Sequence, residues 1–65
     1  MENMQRLYEA AQEREKNSFI WNLKYSNYED LFKRTTFFET IKLMIASGLI
    51  IKRKRGEYEV IKGDA

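Results

Sequence analysis

Neither cysteine nor histidine occurs among the 65 residues of this chain. A domain of this size buries only about 60% of the surface of its unfolded chain, and small folds often compensate with disulfides or a bound metal. Disulfides and thiolate or imidazole metal sites are excluded, because the chain lacks the side chains that form them. We therefore expect one small fold held by tight packing of its aromatic side chains, which make up 14% of the sequence.

The charges of the chain are distributed unevenly. Residues 33–62 contain eight basic and three acidic side chains, whereas residues 1–32 contain four basic and six acidic ones. Asymmetry of this kind indicates an anionic partner for the C-terminal half, and nucleic acid is the first candidate.

A helix is predicted for residues 3–16, because Met4, Leu7, Tyr8 and Ala11 recur with helical spacing. Residues 18–25 fit two patterns. Phe19, Ile20 and Leu23 have the spacing of a helix, whereas Phe19, Trp21, Leu23 and Tyr25 alternate with other residues as they would in a strand. We favour the helix, because the segment that follows needs a helical neighbour.

Two helix starts follow closely. Ser26 with Glu29, and Thr36 with Glu39, have the form of capping boxes. They predict a short helix over residues 28–34 and a longer one over residues 36–47, which ends at Gly48 because glycine commonly terminates helices.

A β-hairpin is predicted for the C-terminal part. Residues 49–54 and 58–61 are rich in strand-forming side chains, and the short segment between them contains Gly56. The predicted fold class is therefore mostly α with a C-terminal β-hairpin (α+β).

From Asn27 to Ile61 the order of these pieces resembles the winged helix-turn-helix family of small transcription regulators. In residues 36–50, a helix with apolar positions at Phe37, Ile41 and Met44 runs into Gly48-Leu49-Ile50, and a basic hairpin follows. The resemblance implies a winged helix domain at residues 18–65, preceded by an extra N-terminal helix at residues 1–17. The predicted turn before the third helix is short, since Leu31 and Phe37 are only six residues apart.

The third helix is expected to turn Ile41, with Phe37, Phe38, Met44 and Ile45, toward the core. Its outward face would then carry short polar side chains and one lysine, which suits entry into the ~12 Å major groove of DNA. The basic tip of the hairpin would follow the phosphate backbone. The predicted DNA-binding residues are Thr35, Thr36, Glu39, Thr40, Lys42, Arg53, Lys54 and Arg55. Thr36 and Glu39 also have a capping role, and the hairpin charges have an alternative role in preventing edge-to-edge pairing of strands.

The predicted function is binding of double-stranded DNA, most simply as a transcription regulator. A homodimer would read two half-sites about one helical turn apart, and we predict that it forms through Met4, Leu7, Tyr8 and Ala11. The alternative is a winged-helix module that binds proteins and not nucleic acid, because a fold does not fix a function. A third option, binding of RNA or of a single strand, is less favoured because the aromatic side chains are expected in the core.

Catalysis is not expected. Without histidine or cysteine it would need paired carboxylates, a reactive lysine or an oxygen-ligated metal, and the acids are scattered along the chain. We predict no cofactor and no metal. No apolar run approaches the ~20 residues that span a bilayer, and the N-terminus lacks the order of a signal peptide. We therefore expect no membrane partner, and a location in the cytoplasm or on the nucleoid.

Overall fold

The computed structural model describes residues 2–16 and 18–61. The predicted boundary between the N-terminal helix and the winged helix domain, at residue 17, lies outside these ranges, and so does Lys62. The fold is α+β, with two helices and a three-stranded antiparallel sheet. The elements follow the order α1 (Glu2–Arg14), β1 (Ile20–Asn22), a 3-10 turn (Tyr25–Asn27), α2 (Arg34–Ala46), β2 (Ile50–Lys54) and β3 (Glu57–Val60).

The sheet is built around β3, which pairs with β2 on one side and with β1 on the other. Tyr58 lies opposite Trp21 of β1 and opposite Lys52 of β2. The predicted hairpin is confirmed, and Gly56 in its turn has a φ of +78°, a conformation that glycine adopts without steric cost. The pairing of β2 with β3 is irregular between Lys52 and Lys54.

One apolar core joins the helices to the inner face of the sheet. Trp21, Tyr28 and Phe37 are among its largest fully buried side chains. The predicted N-terminal helix is confirmed as α1, and its Leu7 and Ala11 are fully buried in the same core. These two side chains are therefore not accessible to a second chain in this structure.

The helix favoured for residues 18–25 is wrong, because the segment forms β1 and an extended continuation. Trp21 and Leu23 are buried while Asn22 and Lys24 are exposed, which is the alternation of a strand. The strand forms because β3 offers its free edge, and a partner about 40 residues away cannot be seen in a local pattern.

The helix predicted for residues 28–34 is also absent from the described structure. A single 3-10 turn at Tyr25–Asn27 leads into further turns, in which the Tyr28 carbonyl accepts hydrogen bonds from the Leu31 and Phe32 amides, both at 3.0 Å. Lys33 is extended, with a ψ of 155°. Burial of Tyr28 and Phe32 stabilises this series of turns, so no helix begins at the capping box predicted for Ser26 and Glu29.

The third predicted helix is α2, and its actual start precedes the predicted one. It begins at Arg34, so Thr36 lies inside the helix and the predicted capping box of Thr36 and Glu39 is wrong. The N-cap residue is Lys33, and its side chain makes no capping hydrogen bond. Its end is as predicted: Gly48 has a φ of +79°. The Gly48 amide donates to the Ile45 carbonyl at 3.0 Å and the Leu49 amide to the Met44 carbonyl at 2.9 Å, which is the Schellman arrangement.

The inward face of α2 is rotated from the predicted one. Phe37, Ile41 and Met44 are buried as expected, but Thr40 joins them with 2% of its surface exposed. Phe38 and Ile45, which were expected in the core, are 40% and 38% exposed. This rotation decides which side chains of α2 face outward and which line the space beside the hairpin.

Candidate nucleic-acid interface

A cleft of about 440 Å³ lies between α2 and the hairpin. We call it the cationic cleft, because four basic side chains line it and none of its described lining residues is an aspartate or glutamate. The cations are Lys24, Lys42, Lys52 and Arg55, and the other lining residues are Leu23, Tyr25, Phe38, Ile41, Ile45, Gly56 and Tyr58.

Helical spacing brings one wall of the cleft together. Phe38, Lys42 and Ile45 stand at intervals of four and three along α2, so their side chains share one edge of the helix. Ile41 lies deeper, where this edge meets the core. This wall is thus part apolar and part cationic, with the lysine at its exposed side.

The hairpin supplies the opposite wall. Lys52 pairs with Tyr58 across β2 and β3, and both side chains point to the side of the sheet that faces α2. Arg55 and Gly56 reach the same cleft from the turn. The segment after β1 closes one end with Lys24 and Tyr25.

The basic run of the hairpin is divided between two faces of the sheet. Arg53 Nη1 lies 2.9 Å from Glu59 Oε1, and Arg53 Nε lies 3.5 Å from Glu57 Oε2. Lys54 Nζ lies 3.6 Å from Glu57 Oε1. These ion pairs are on the outer face, away from the cleft, because β2 alternates its side chains and its register shifts after Lys52.

The residues predicted to bind DNA are therefore not all in one place. Lys42 and Arg55 line the cationic cleft, and Thr35 and Glu39 are exposed on α2. Thr36 is half-buried. Arg53 and Lys54 are exposed but ion-paired on the outer face.

The predicted outward position of Thr40 is wrong. Its side chain is buried and its Oγ1 donates a hydrogen bond to the Thr36 carbonyl at 2.7 Å. The hydroxyl satisfies its hydrogen bonding within the helix, so Thr40 does not offer a surface to any partner.

The sequence-based prediction of the site included only Lys42 and Arg55 of the cleft residues, and those that it missed include Lys24, Tyr25, Phe38 and Lys52. Strand alternation was a usable signal for Lys52, because consecutive residues of a strand point to opposite faces and Lys52 directly precedes the ion-paired Arg53. For Phe38 the signal was its spacing of four residues from both Arg34 and Lys42. Lys24 and Tyr25 follow a strand that was not expected.

Tyr58 contributes a neutral hydroxyl to the cleft. Burial raises the pKa of this phenol above its ordinary value of 10.0, since a phenolate would lose its hydration. Tyr58 therefore adds no negative charge near neutral pH, and the positive charges of the four basic side chains are not offset by it.

Two other features, a cluster of acidic side chains for a metal ion and a membrane-spanning helix, are absent from the described residues. No group of three or more acidic side chains there is close enough to hold a metal ion. Within residues 2–16 and 18–61, neither helix combines the length and the apolar character needed to cross a bilayer.

Comparison of the chain with protein-family models, with curated proteins and with solved structures gives no match. The features of the chain that bear on function are therefore the cationic cleft and the exposed face of α2.

Proposed function

We propose that this protein is a winged-helix DNA-binding protein, in which α2 enters the major groove and the hairpin holds the backbone. The order α1, β1, 3-10 turn, α2, β2, β3 is compatible with a winged-helix layout, the 3-10 turn standing where such a fold has its second helix. The observation that carries the proposal is the cationic cleft, with its four basic side chains.

Phosphate binding is the chemistry that suits this cleft. Each phosphate neutralised by a lysine or arginine releases condensed counterions, and this release drives DNA binding. In the proposed complex Lys42 and Lys52, from opposite walls, contact the same stretch of backbone, with Arg55 at the hairpin turn. An anionic backbone meets no repelling carboxylate among the described lining residues.

Base contacts are assigned to the exposed face of α2. Thr35 offers a hydrogen-bond donor, and Glu39 offers an acceptor that suits the cytosine amino group. Thr40, buried in the core, has no part in this surface. Two base contacts give limited specificity, which is why two copies on one operator remain part of the proposal.

The test compares two charge-matched pairs of substitutions in the hairpin. Lys52→Gln with Arg55→Gln removes two cations from the cleft, whereas Arg53→Gln with Lys54→Gln removes two from the outer face. Gel-shift titrations on duplex DNA at several salt concentrations measure how steeply affinity falls with salt. The cleft pair is expected to lower the slope by about 2, since each lost phosphate contact lowers it by roughly 0.9.

The outer pair serves as the control, because its cations are already held by Glu57 and Glu59. We expect it to change the slope by less than about 1. Equal effects of the two pairs would contradict the assignment to the cleft. Absence of salt-dependent binding to duplex DNA by the unaltered protein would reject the function and favour the protein-interaction module.

A role as a transcription regulator in the cytoplasm or on the nucleoid, without a cofactor or catalytic activity, follows as part of the same proposal. Of the four residues predicted to form the homodimer contact, Met4 and Tyr8 are not fully buried. They line a shallow groove on α1 together with Leu49. We propose this groove as the contact between two copies.

A further inference from the structure

An aromatic side chain is exposed at the edge of the cationic cleft. Phe38 is 40% exposed although it is large and apolar, and it projects from α2 one helical turn after Arg34 and one turn before Lys42. An apolar ring that is partly in contact with water therefore lies between two cations on one edge of the helix.

The ring of Phe38 already accepts one planar group. The Arg34 guanidinium carbon lies 5.8 Å from the ring centroid, so a base that stacks on this face takes the place of the guanidinium. Tyr25 lies beside it, with its ring centroid at 6.5 Å and the two ring planes inclined by 39°. Both aromatic rings line the cleft that holds the four basic side chains.

We propose that the cationic cleft binds an unpaired nucleotide of DNA, with its base stacked on Phe38 and its phosphates held by Lys42, Lys52 and Arg55. This inference rests on the proposed function and names the substrate more closely. Grooves that combine basic side chains with exposed aromatic rings bind unstacked nucleotides, because every base has a flat face and every nucleotide a negative charge.

The phosphate and the base of a nucleotide match the basic and the aromatic side chains that line the cleft. The phosphate needs cations, and the base needs a flat apolar surface, which neither an isolated anion nor an acidic peptide would use. A fully paired duplex has its bases stacked on one another, so it offers phosphates to the cations but no base to the ring of Phe38. A duplex with an unpaired base offers phosphates to the basic side chains and a flat base to the ring of Phe38.

The experiment compares two DNA probes: a blunt duplex, and the same duplex with one unpaired adenine at its centre. Gel-shift titrations of the full chain give the two affinities. We expect the probe with the unpaired adenine to bind at least about 5-fold tighter, the lower end of what stacking of one base provides. Equal affinities for the two probes overturn the inference while leaving duplex binding intact.

Two substitutions at Phe38 separate stacking from charge. Phe38→Leu keeps an apolar side chain but removes the aromatic face, and it should reduce the preference for the probe with the unpaired adenine to less than about 2-fold. Phe38→Tyr keeps the face and should retain the preference. Leu43→Ala is the control, since Leu43 is an exposed apolar residue of α2 that does not line the cleft. A preference that survives Phe38→Leu overturns the assignment of the base to Phe38.

The remaining outcomes distinguish the possible sources of the nucleotide. Failure to bind either probe overturns the proposed function as well as this inference. Deoxyadenosine monophosphate is added as a competitor, and we expect no displacement at concentrations equal to that of the probe. Displacement at such concentrations would overturn the assignment to DNA and assign the cleft to a free nucleotide.

Discussion

Arg53 is held by Glu59 on the neighbouring strand, with 2.9 Å between Arg53 Nη1 and Glu59 Oε1. This ion pair turns the guanidinium toward the outer face of the sheet and away from α2. A basic run that is continuous in the sequence is therefore discontinuous in space, and its effect on an anionic partner depends on the acids beside it.

Glu59→Gln is expected to strengthen binding to duplex DNA about 2-fold to 5-fold, because it releases Arg53 from one of its two carboxylates and removes a charge that repels phosphate. Affinity measured at low salt checks this, and the gain should fade as salt screens the charges. Glu13→Gln, the same change on α1, is the control. A gain no larger than that of Glu13→Gln would contradict the prediction.

Thr40→Val is expected to leave DNA affinity unchanged within about 2-fold, because the Thr40 hydroxyl is buried and bonded to the Thr36 carbonyl. Loss of that hydrogen bond costs no more than about 1.5 kcal/mol of stability. Thr35→Val makes the same chemical change at an exposed position of α2 and is expected to weaken binding. Equal weakening by both substitutions would show that Thr40 reaches the DNA.

Asp30→Asn is expected to make stability less dependent on acid pH. The Arg14 guanidinium, 3.0 Å from the Asp30 carboxylate, lowers the pKa of this carboxyl from its ordinary value of 3.8. A folded-state pKa below the unfolded one means that the stabilisation is complete above the unfolded value and is lost as the pH falls through the folded value.

Urea unfolding of the wild type and of Asp30→Asn should thus differ near neutral pH, and the difference should shrink only as the pH falls below ~4 and through the lowered pKa of Asp30. Arg14→Gln removes the cause of the shift and should abolish the same component of the pH dependence. A difference that is constant from neutral to acid pH would argue against the ion pair as its source.

Gly48→Ala is expected to lower the free energy of unfolding by about 1–2 kcal/mol, the cost of a left-handed conformation for a residue with a Cβ. A Cβ at this position meets no atom within 4 Å, so the whole effect comes from the backbone. Ser47→Ala, at a residue with a φ of −84°, should stay within about 0.5 kcal/mol. Thermal unfolding followed by circular dichroism measures both.

Met4→Lys is expected to convert the protein from dimer to monomer at micromolar concentration, because it places a charge in the groove formed with Tyr8 and Leu49. Sedimentation velocity gives the oligomeric state. Asn3→Lys adds the same charge at an exposed neighbouring position outside that groove and should leave the dimer intact. A wild-type protein that sediments only as a monomer at high micromolar concentration would remove the dimer from the proposal.

The elements that could be predicted from the sequence are those with local signals. The spacing of Leu7 and Ala11 indicated α1, and the left-handed glycines Gly48 and Gly56 marked the end of α2 and the hairpin turn. In each case the residues that determine the structure lie within a few positions of one another.

Strand β1 could not be predicted with the same certainty, because its stability comes from β3. Trp21 lies opposite Tyr58, 37 positions later in the chain, and a three-residue strand has no periodicity long enough to exclude a helix. The helix predicted for residues 28–34 was wrong for a related reason, since burial of Tyr28 and Phe32 outweighs a local capping pattern.

The candidate site was predicted only in outline. The hairpin cations were recognised as a group, but the register shift between Lys52 and Lys54, which sends them to two faces, depends on pairing with β3. The phase of α2 was misjudged because Phe38 and Ile45 are apolar and were expected in the core. Their hydrophobic character is instead exposed along the cationic cleft.

The complete burial of Trp21 also gives the protein an internal optical reporter. It is the sole tryptophan of the sequence and is 0% exposed, with the Tyr8 ring against it at 5.3 Å between centroids. Its emission is therefore expected at short wavelength in the native state and to shift to the red when the contact between α1 and the sheet is lost. Because Trp21 is not among the residues of the cationic cleft, this shift follows the integrity of the core separately from occupancy of the cleft.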